Sequence, residues 1–150
     1  MTARLRCLAS AVLLVAQTAA FAQNSPVGLW KSIDDSTHVE KSLVRISDQG
    51  GVLSGTIEKL LDPAAPPNPV CDKCMDDRKG RPLVGLDIIR NAHVDADDPA
   101  LWTGGEILDP GNGKTYRLKL KPIAGGKQLE VRGYIGTPLL GRTQTWVRSE

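Results

Sequence analysis

Cys71-Asp72-Lys73-Cys74 is the most specific chemical pattern in the chain. Two thiols at this spacing can close a disulfide, exchange disulfides with a partner, or supply half of a tetrahedral zinc site. Exchange chemistry works through a thiolate, and redox sites of this spacing obtain one at a helix N-terminus that follows a strand. Nothing after Cys74 reads as such a helix. A zinc site needs two further ligands, and His38 and His93 do not arrive at a spacing that would supply them. A structural disulfide is the default reading, because Cys7 lies in a segment expected to be removed and only this pair remains. Thiol exchange and a metal half-site are the alternatives. Closing so small a loop contributes about 2 kcal/mol on the chain-entropy estimate.

Other groupings lead to plainer chemistry. Asp95, Asp97 and Asp98 are spaced somewhat like calcium ligands but lack the glycine and terminal glutamate of an EF-hand, so a solvated turn is expected. Asp109-Pro110-Gly111-Asn112-Gly113-Lys114 has the look of a phosphate-cradling loop, yet the residues after it read as a strand and not a helix; it is a hairpin turn. Arg132, Tyr134, Arg142, Gln144 and Trp146 fall on neighbouring strands. Facing inward, such a set would form a polar, aromatic-lined pocket able to orient a carboxylate or other polar head group; facing outward, it would be a row of solvated cross-strand pairs. Alternation opposite Leu129, Val131 and Ile135 favours outward or rim positions for Arg132 and Tyr134. Glu58 and Glu106 are not paired as acid and base, and His38 and His93 sit in polar loops. No catalytic residue, metal site or cofactor is assigned.

The elements that must position these side chains are short strands. Four of them, Trp102–Leu108, Lys114–Lys121, Gln128–Ile135 and Arg142–Arg148, follow at intervals of about ten residues, with Gly and Pro between them. Tyr116, Leu118 and Leu120 face one way and Arg117, Lys119 and Lys121 the other. Upstream, Gly28–Ile33, Lys41–Ser47 and Val52–Leu60 form a first group, with Gly55 marking a bend or bulge. Leu83–Arg90 is the remaining strand. Between the groups, Asp62–Pro82 contains Pro63, Pro66, Pro67, Pro69 and Pro82 and can only be a long connection. The pattern predicts an all-β fold, an antiparallel up-and-down barrel of about eight strands. At that strand number the interior is either filled by side chains or holds one small ligand.

The N-terminal residues read as a leader. Arg4 and Arg6 precede the apolar run Leu8–Ala20, and Ala20-Phe21-Ala22 has a signal-peptidase pattern, so residues 1–22 are expected to be cleaved and residues 23–150 to form one barrel domain. The run is too short for a membrane span, and the protein is not expected to be an integral membrane protein. Periplasm or secretion is the expected location. The whole chain has 19 Lys+Arg and 17 Asp+Glu; loss of Arg4 and Arg6 leaves equal numbers. Without a positive excess there is no electrostatic case for nucleic acid.

Several motifs in order carry a resemblance: Gly28-Leu29-Trp30, the Cys71/Cys74 pair, Pro82-Leu83-Val84-Gly85, Trp102-Thr-Gly-Gly-Glu-Ile-Leu-Asp-Pro, Gly113-Lys-Thr-Tyr, Leu129-Glu-Val-Arg-Gly-Tyr-Ile-Gly and Gly141-Arg-Thr-Gln-Thr-Trp146. Together they resemble the bacterial exported family called domain of unknown function 2147, over nearly all of Gly28–Arg148. The resemblance implies a lipocalin-like, calycin-type barrel in the cell envelope and brings no established activity. Lipocalins also begin with Gly-x-Trp, and there a basic side chain near the last strand covers the indole; Arg148 or Arg142 over Trp30 is the matching expectation. The reading that follows is a non-enzymatic barrel that binds a small, partly apolar molecule, with Trp30, Arg132, Tyr134, Arg142 and Trp146 as candidate ligand residues. An envelope interaction module using the 62–82 loop and a thiol oxidoreductase using Cys71 and Cys74 are the rivals.

Overall fold

The computed structural model describes residues 24–150. The expected leader, residues 1–22, and Cys7 lie outside the described residues. Nine strands are described: β1 (Gly28–Ile33), β2 (Glu40–Gln49), β3 (Val52–Leu60), β4 (Asp87–Val94), β5 (Trp102–Thr103), β6 (Glu106–Asp109), β7 (Lys114–Ile123), β8 (Gln128–Tyr134) and β9 (Gly141–Arg148). All pairings between them are antiparallel, and the ring closes where β1 meets β9 through Trp30↔Arg148 and Lys31↔Val147. β5 and β6 both pair with β4 and with β7, so they are two halves of one broken stave. The result is a closed, eight-stranded antiparallel barrel.

Alternation decides which face looks inward. Ser42, Val44 and Ile46 of β2 are buried, as are Leu53 and Ile57 of β3, Leu118 and Leu120 of β7, and Leu129 and Val131 of β8. For β7 and β8 these are the faces the sequence predicts, except that Ile135 falls beyond the end of β8 and is exposed. Residues between them carry charge into solvent, where Arg45 pairs with Glu58 across β2 and β3 at 2.8 Å. Gly55 is where the barrel bends: a methyl group there would lie 2.9 Å from Ile89 Cβ, and the β3–β4 register shifts on both sides of it. The break between β5 and β6 has a similar cause. Gly104 has φ +74°, and a side chain at Gly105 would run into the backbone of β4, 2.5 Å from the Arg90 carbonyl oxygen.

Two strand assignments differ from the sequence reading. The fourth strand begins at Asp87 instead of Leu83 and runs on to Val94. Gly85, with φ +88°, and a Leu86 N–H to Leu83 carbonyl bond make Leu83–Leu86 a turn, although the Gly85 N–H still donates to the Ile57 carbonyl and the Ile57 N–H to the Leu86 carbonyl. His93 is consequently an exposed residue of β4, lying over Gly104, and not part of a loop. The fifth strand is interrupted at Gly104–Gly105 for the reason given above.

Asp62–Pro82 is a long connection, as its prolines require, carrying one isolated bridge, Val70↔Pro82. Its second half nevertheless belongs to the core. Cys71 and Cys74 form a disulfide and both are fully buried. Arg78 is also fully buried and lies against three strands: it donates to the Asp87 carbonyl of β4 (2.9 Å), to Thr115 Oγ1 of β7 (3.3 Å) and to Glu106 of β6 (3.5 Å), while Asp76 takes a forked pair of bonds (2.6–3.2 Å). Lys73 reaches across to the Gly111 carbonyl in the β6–β7 turn.

Candidate functional site

The two ends of the barrel differ. At one end Trp30 is fully buried, its Nε1–H donating to the Pro26 carbonyl, and the Arg148 guanidinium lies 4.1 Å over its ring. Arg148 also donates to the carbonyls of Gly126, Val27 and Ser25 (2.6–3.0 Å). Burial lowers its pKa, but a guanidinium keeps its charge and can satisfy several carbonyls at once. Gly28, with φ +141°, has no room for a side chain because Arg148 Nη1 occupies that space. Of the two arginines the sequence offers for this role, the structure selects Arg148. This end is shut.

The other end opens into a cavity of about 650 Å³. Its walls come from the mouth-side halves of the strands and from three connections: the proline half of the long loop (Ala65, Pro66, Pro69), the β6–β7 turn and the β8–β9 loop. The body of the lining is apolar, with Ile57, Leu60, Leu83, Ile88, Ile107 and Leu108, and Trp146 and Val131 lie deepest. Volume and lining fall within the range of small-molecule pockets.

Polar groups in the lining are mostly matched to one another. Ser32 and Ser42 hydroxyls bond at 2.8 Å, and the Ser42 N–H donates to Ser32 Oγ. Trp146 Nε1–H donates to Gln144 Oε1 at 3.0 Å. At the mouth, Arg142 donates to Asp34 (3.0 Å), to Asp35 and to Ser36 Oγ (2.8 Å), and Lys41 pairs with Asp62 at 2.6 Å. These contacts shift the acids downward. The Thr37 N–H, first among its donors, holds Asp34 well below the usual carboxylate range; Arg142 does the same for Asp35, and Lys41 for Asp62. The Asp35 carboxylate in turn raises the already high pKa of Arg142.

Of the five candidate ligand residues, the structure brings two together in the cavity. Arg142 lines the mouth and Trp146 the floor. Trp30 belongs to the shut end, outside the lining. Arg132 lies on the outer face, where its guanidinium donates to the Pro138 carbonyl (2.9 Å) and to Thr143 Oγ1 (2.8 Å) and braces the β8–β9 loop; Tyr134 shares that face by alternation. An inward arginine free to hold a ligand carboxylate, one reading of the sequence, is not what Arg142 provides, because two aspartates already occupy it. The Asp34-Asp35 pair was invisible as a partner because it lies more than 100 residues away in the chain. Arg78 escaped notice for another reason: a lone arginine among Asp76, Asp77 and Lys79 reads as solvated surface.

No group of three or more His, Cys, Asp or Glu residues among the described residues could hold a metal ion. Asp95 accepts backbone N–H bonds from Asp97 and Asp98 and a hydroxyl bond from Thr103, which is how a turn aspartate behaves.

The model of a family described as an uncharacterized protein conserved in bacteria, domain of unknown function 2147, matches residues 28–148. The chain belongs to that family. Among solved structures, this family member is similar to a protein from the human pathogen Helicobacter pylori that is described as belonging to the lipocalin family, with 17% identity and a TM-score of 0.68 over 83% of this chain and 82% of that one. At that identity the likeness is one of fold. No curated protein matches the chain. The barrel of this domain-of-unknown-function-2147 member is thus lipocalin-like, with a mouth, a floor and a shut base.

Proposed function

We propose that this protein is an exported carrier or scavenger that holds a small, partly apolar molecule inside the barrel. The observation that carries the reading is the cavity of about 650 Å³ with an apolar body and one open end; a barrel of this strand number could equally have been plugged by side chains. The lipocalin-like fold supports the same class of function, though as an analogy of fold. No step of bond chemistry is assigned, since the mouth aspartates are engaged by Arg142 and Lys41 and the cysteines are joined in a buried disulfide. That burial also weighs against thiol exchange, which needs an accessible sulfur.

Export is part of the proposal. Its support is the leader pattern of residues 1–22 and a disulfide that suits an oxidising compartment. No helix among the described residues is long and apolar enough to cross a membrane, and the outward strand faces carry ion pairs such as Arg45–Glu58 instead of an apolar band. N-terminal sequencing of protein recovered from the envelope should give Gln23 as the first residue; retention of Met1 would refute processing.

The lumen itself is tested with a neutral naphthylamine dye whose fluorescence rises in apolar surroundings. The protein should enhance it saturably. Val131→Phe, which pushes a ring into the floor, should abolish enhancement while the far-ultraviolet circular dichroism stays that of the parent. Equal enhancement by both proteins would place the dye elsewhere and remove the support for an interior site.

A further inference from the structure

The charge and hydrogen-bonding pattern of the cavity narrows the class of ligand. Every lining cation is already neutralised: Lys41 by Asp62 at 2.6 Å, and Arg142 by Asp34 at 3.0 Å and by Asp35. Asp109 adds a further carboxylate to the rim, one oxygen of which accepts the Gly111 N–H. Around the mouth the four carboxylates of Asp34, Asp35, Asp62 and Asp109 therefore stand against three cations, Lys41, Arg142 and the Lys73 ammonium held on the Gly111 carbonyl. An anionic head group arriving there would meet a net like charge, with both lining cations already paired, and burying it would leave it poorly compensated.

Two lining groups keep a donor unspent: the Tyr116 hydroxyl, which accepts from Asn112 Nδ2 at 2.9 Å, and the Gln144 amide. The Trp146 indole can only donate, so its bond at 3.0 Å fixes the oxygen side of the Gln144 amide toward it. The Gln144 Nε2–H₂ group is then turned the other way, and among the described residues it donates to no protein acceptor. The Ser32 and Ser42 hydroxyls, also in the lining, are spent on each other. A largely apolar lumen that presents N–H donors without a protein acceptor favours a ligand that brings one.

Resting on the interior-binding reading above, we propose that the lumen selects uncharged apolar molecules bearing an oxygen acceptor, such as an ester, ketone or amide, and rejects alkyl carboxylates. Gln144 is the residue that recognises the acceptor, and the Asp34–Asp35–Arg142 cluster is what excludes the anion.

The test is a matched pair of probes, methyl decanoate and decanoate, titrated at neutral pH with the lining indole of Trp146 as fluorescent reporter and the naphthylamine dye as control. The ester is expected to bind at least about tenfold more tightly than the carboxylate, in line with the cost of an unpaired buried charge. Gln144→Leu should weaken the ester about fivefold, the equivalent of one ordinary hydrogen bond, and weaken the dye, which brings no oxygen acceptor, by less. Asp35→Asn, at a side chain whose hydrogen bonds go to Arg142 alone, should narrow the preference by releasing part of the Arg142 charge. Decanoate binding as tightly as the ester, or a Gln144→Leu variant that keeps full ester affinity, overturns this inference while the interior site stands. If neither alkyl probe nor the dye binds, the interior site itself is lost, and this inference with it.

Discussion

A guanidinium without exposed surface persists only where its donors meet acceptors, and Arg78 meets them on three strands and on Asp76. It acts as a rivet between the long loop and the wall of the barrel. Arg78→Met keeps much of the volume but strands the Asp87 carbonyl and the Asp76 carboxylate; urea unfolding should show a loss of about 2 to 3 kcal/mol. A midpoint unchanged from the parent would mean the loop is not fastened here. Asp76 gives this joint a pH dependence. Arg78 lowers its pKa from the ordinary 3.8 to about 2, so the folded protein binds the Asp76 proton less readily than the unfolded chain. The stabilisation is therefore complete above about pH 4 and lost as pH falls toward about 2. Because the carboxylate is more than one-third exposed, solvent screens much of the effect. Asp76→Asn should flatten the stability profile in that window and leave it unchanged near neutrality apart from a constant offset.

Among the elements, the broken stave shows how a sequence sets a register. Gly104 and Gly105 permit β5 and β6 to lie against β4 at a point where a side chain would meet its backbone. Gly105→Ala should therefore pry the β4–β6 seam apart and lower the thermal midpoint by several degrees, beyond the small cost of an exposed substitution; wild-type stability would show that the strands separate without strain. The same elements show what could be read in advance. Strands with one wet and one dry face, such as β7, announced their residues and their inward side through alternation alone. Gly55 announced its bend. Segments whose form depends on tertiary contact did not: Leu83–Leu86 is β-like in composition, yet Gly85 turns it, and Trp102–Leu108 reads as one strand until the approach of β4 is known. The mouth was legible by residue type and not by pairing, since Arg142 and its aspartates are joined by the closure of the barrel and not by any local pattern. Trp30 and Arg132 were drawn toward the site by type as well, although the Gly-x-Trp resemblance already set an arginine over Trp30 and alternation already favoured an outward Arg132; the bond to Pro138 is what leaves no mark in the sequence.

At the scale of the whole molecule, the two ends of the barrel are built differently. The Trp30–Arg148 stack closes the base, whereas the proline half of the long connection and the β8–β9 loop frame the mouth, where Leu139 and Leu140 are strongly exposed. The disulfide and Arg78 tie the long connection to the wall, so it serves as part of the barrel and not as a detachable arm. Both ends of the described chain meet beneath the base: Arg148 grips the Ser25 and Val27 carbonyls, and the Ser149 N–H donates to Leu29. Tethering the protein to a bead or sensor chip through either terminus would consequently leave every molecule facing the same way, with its opening presented to the flow.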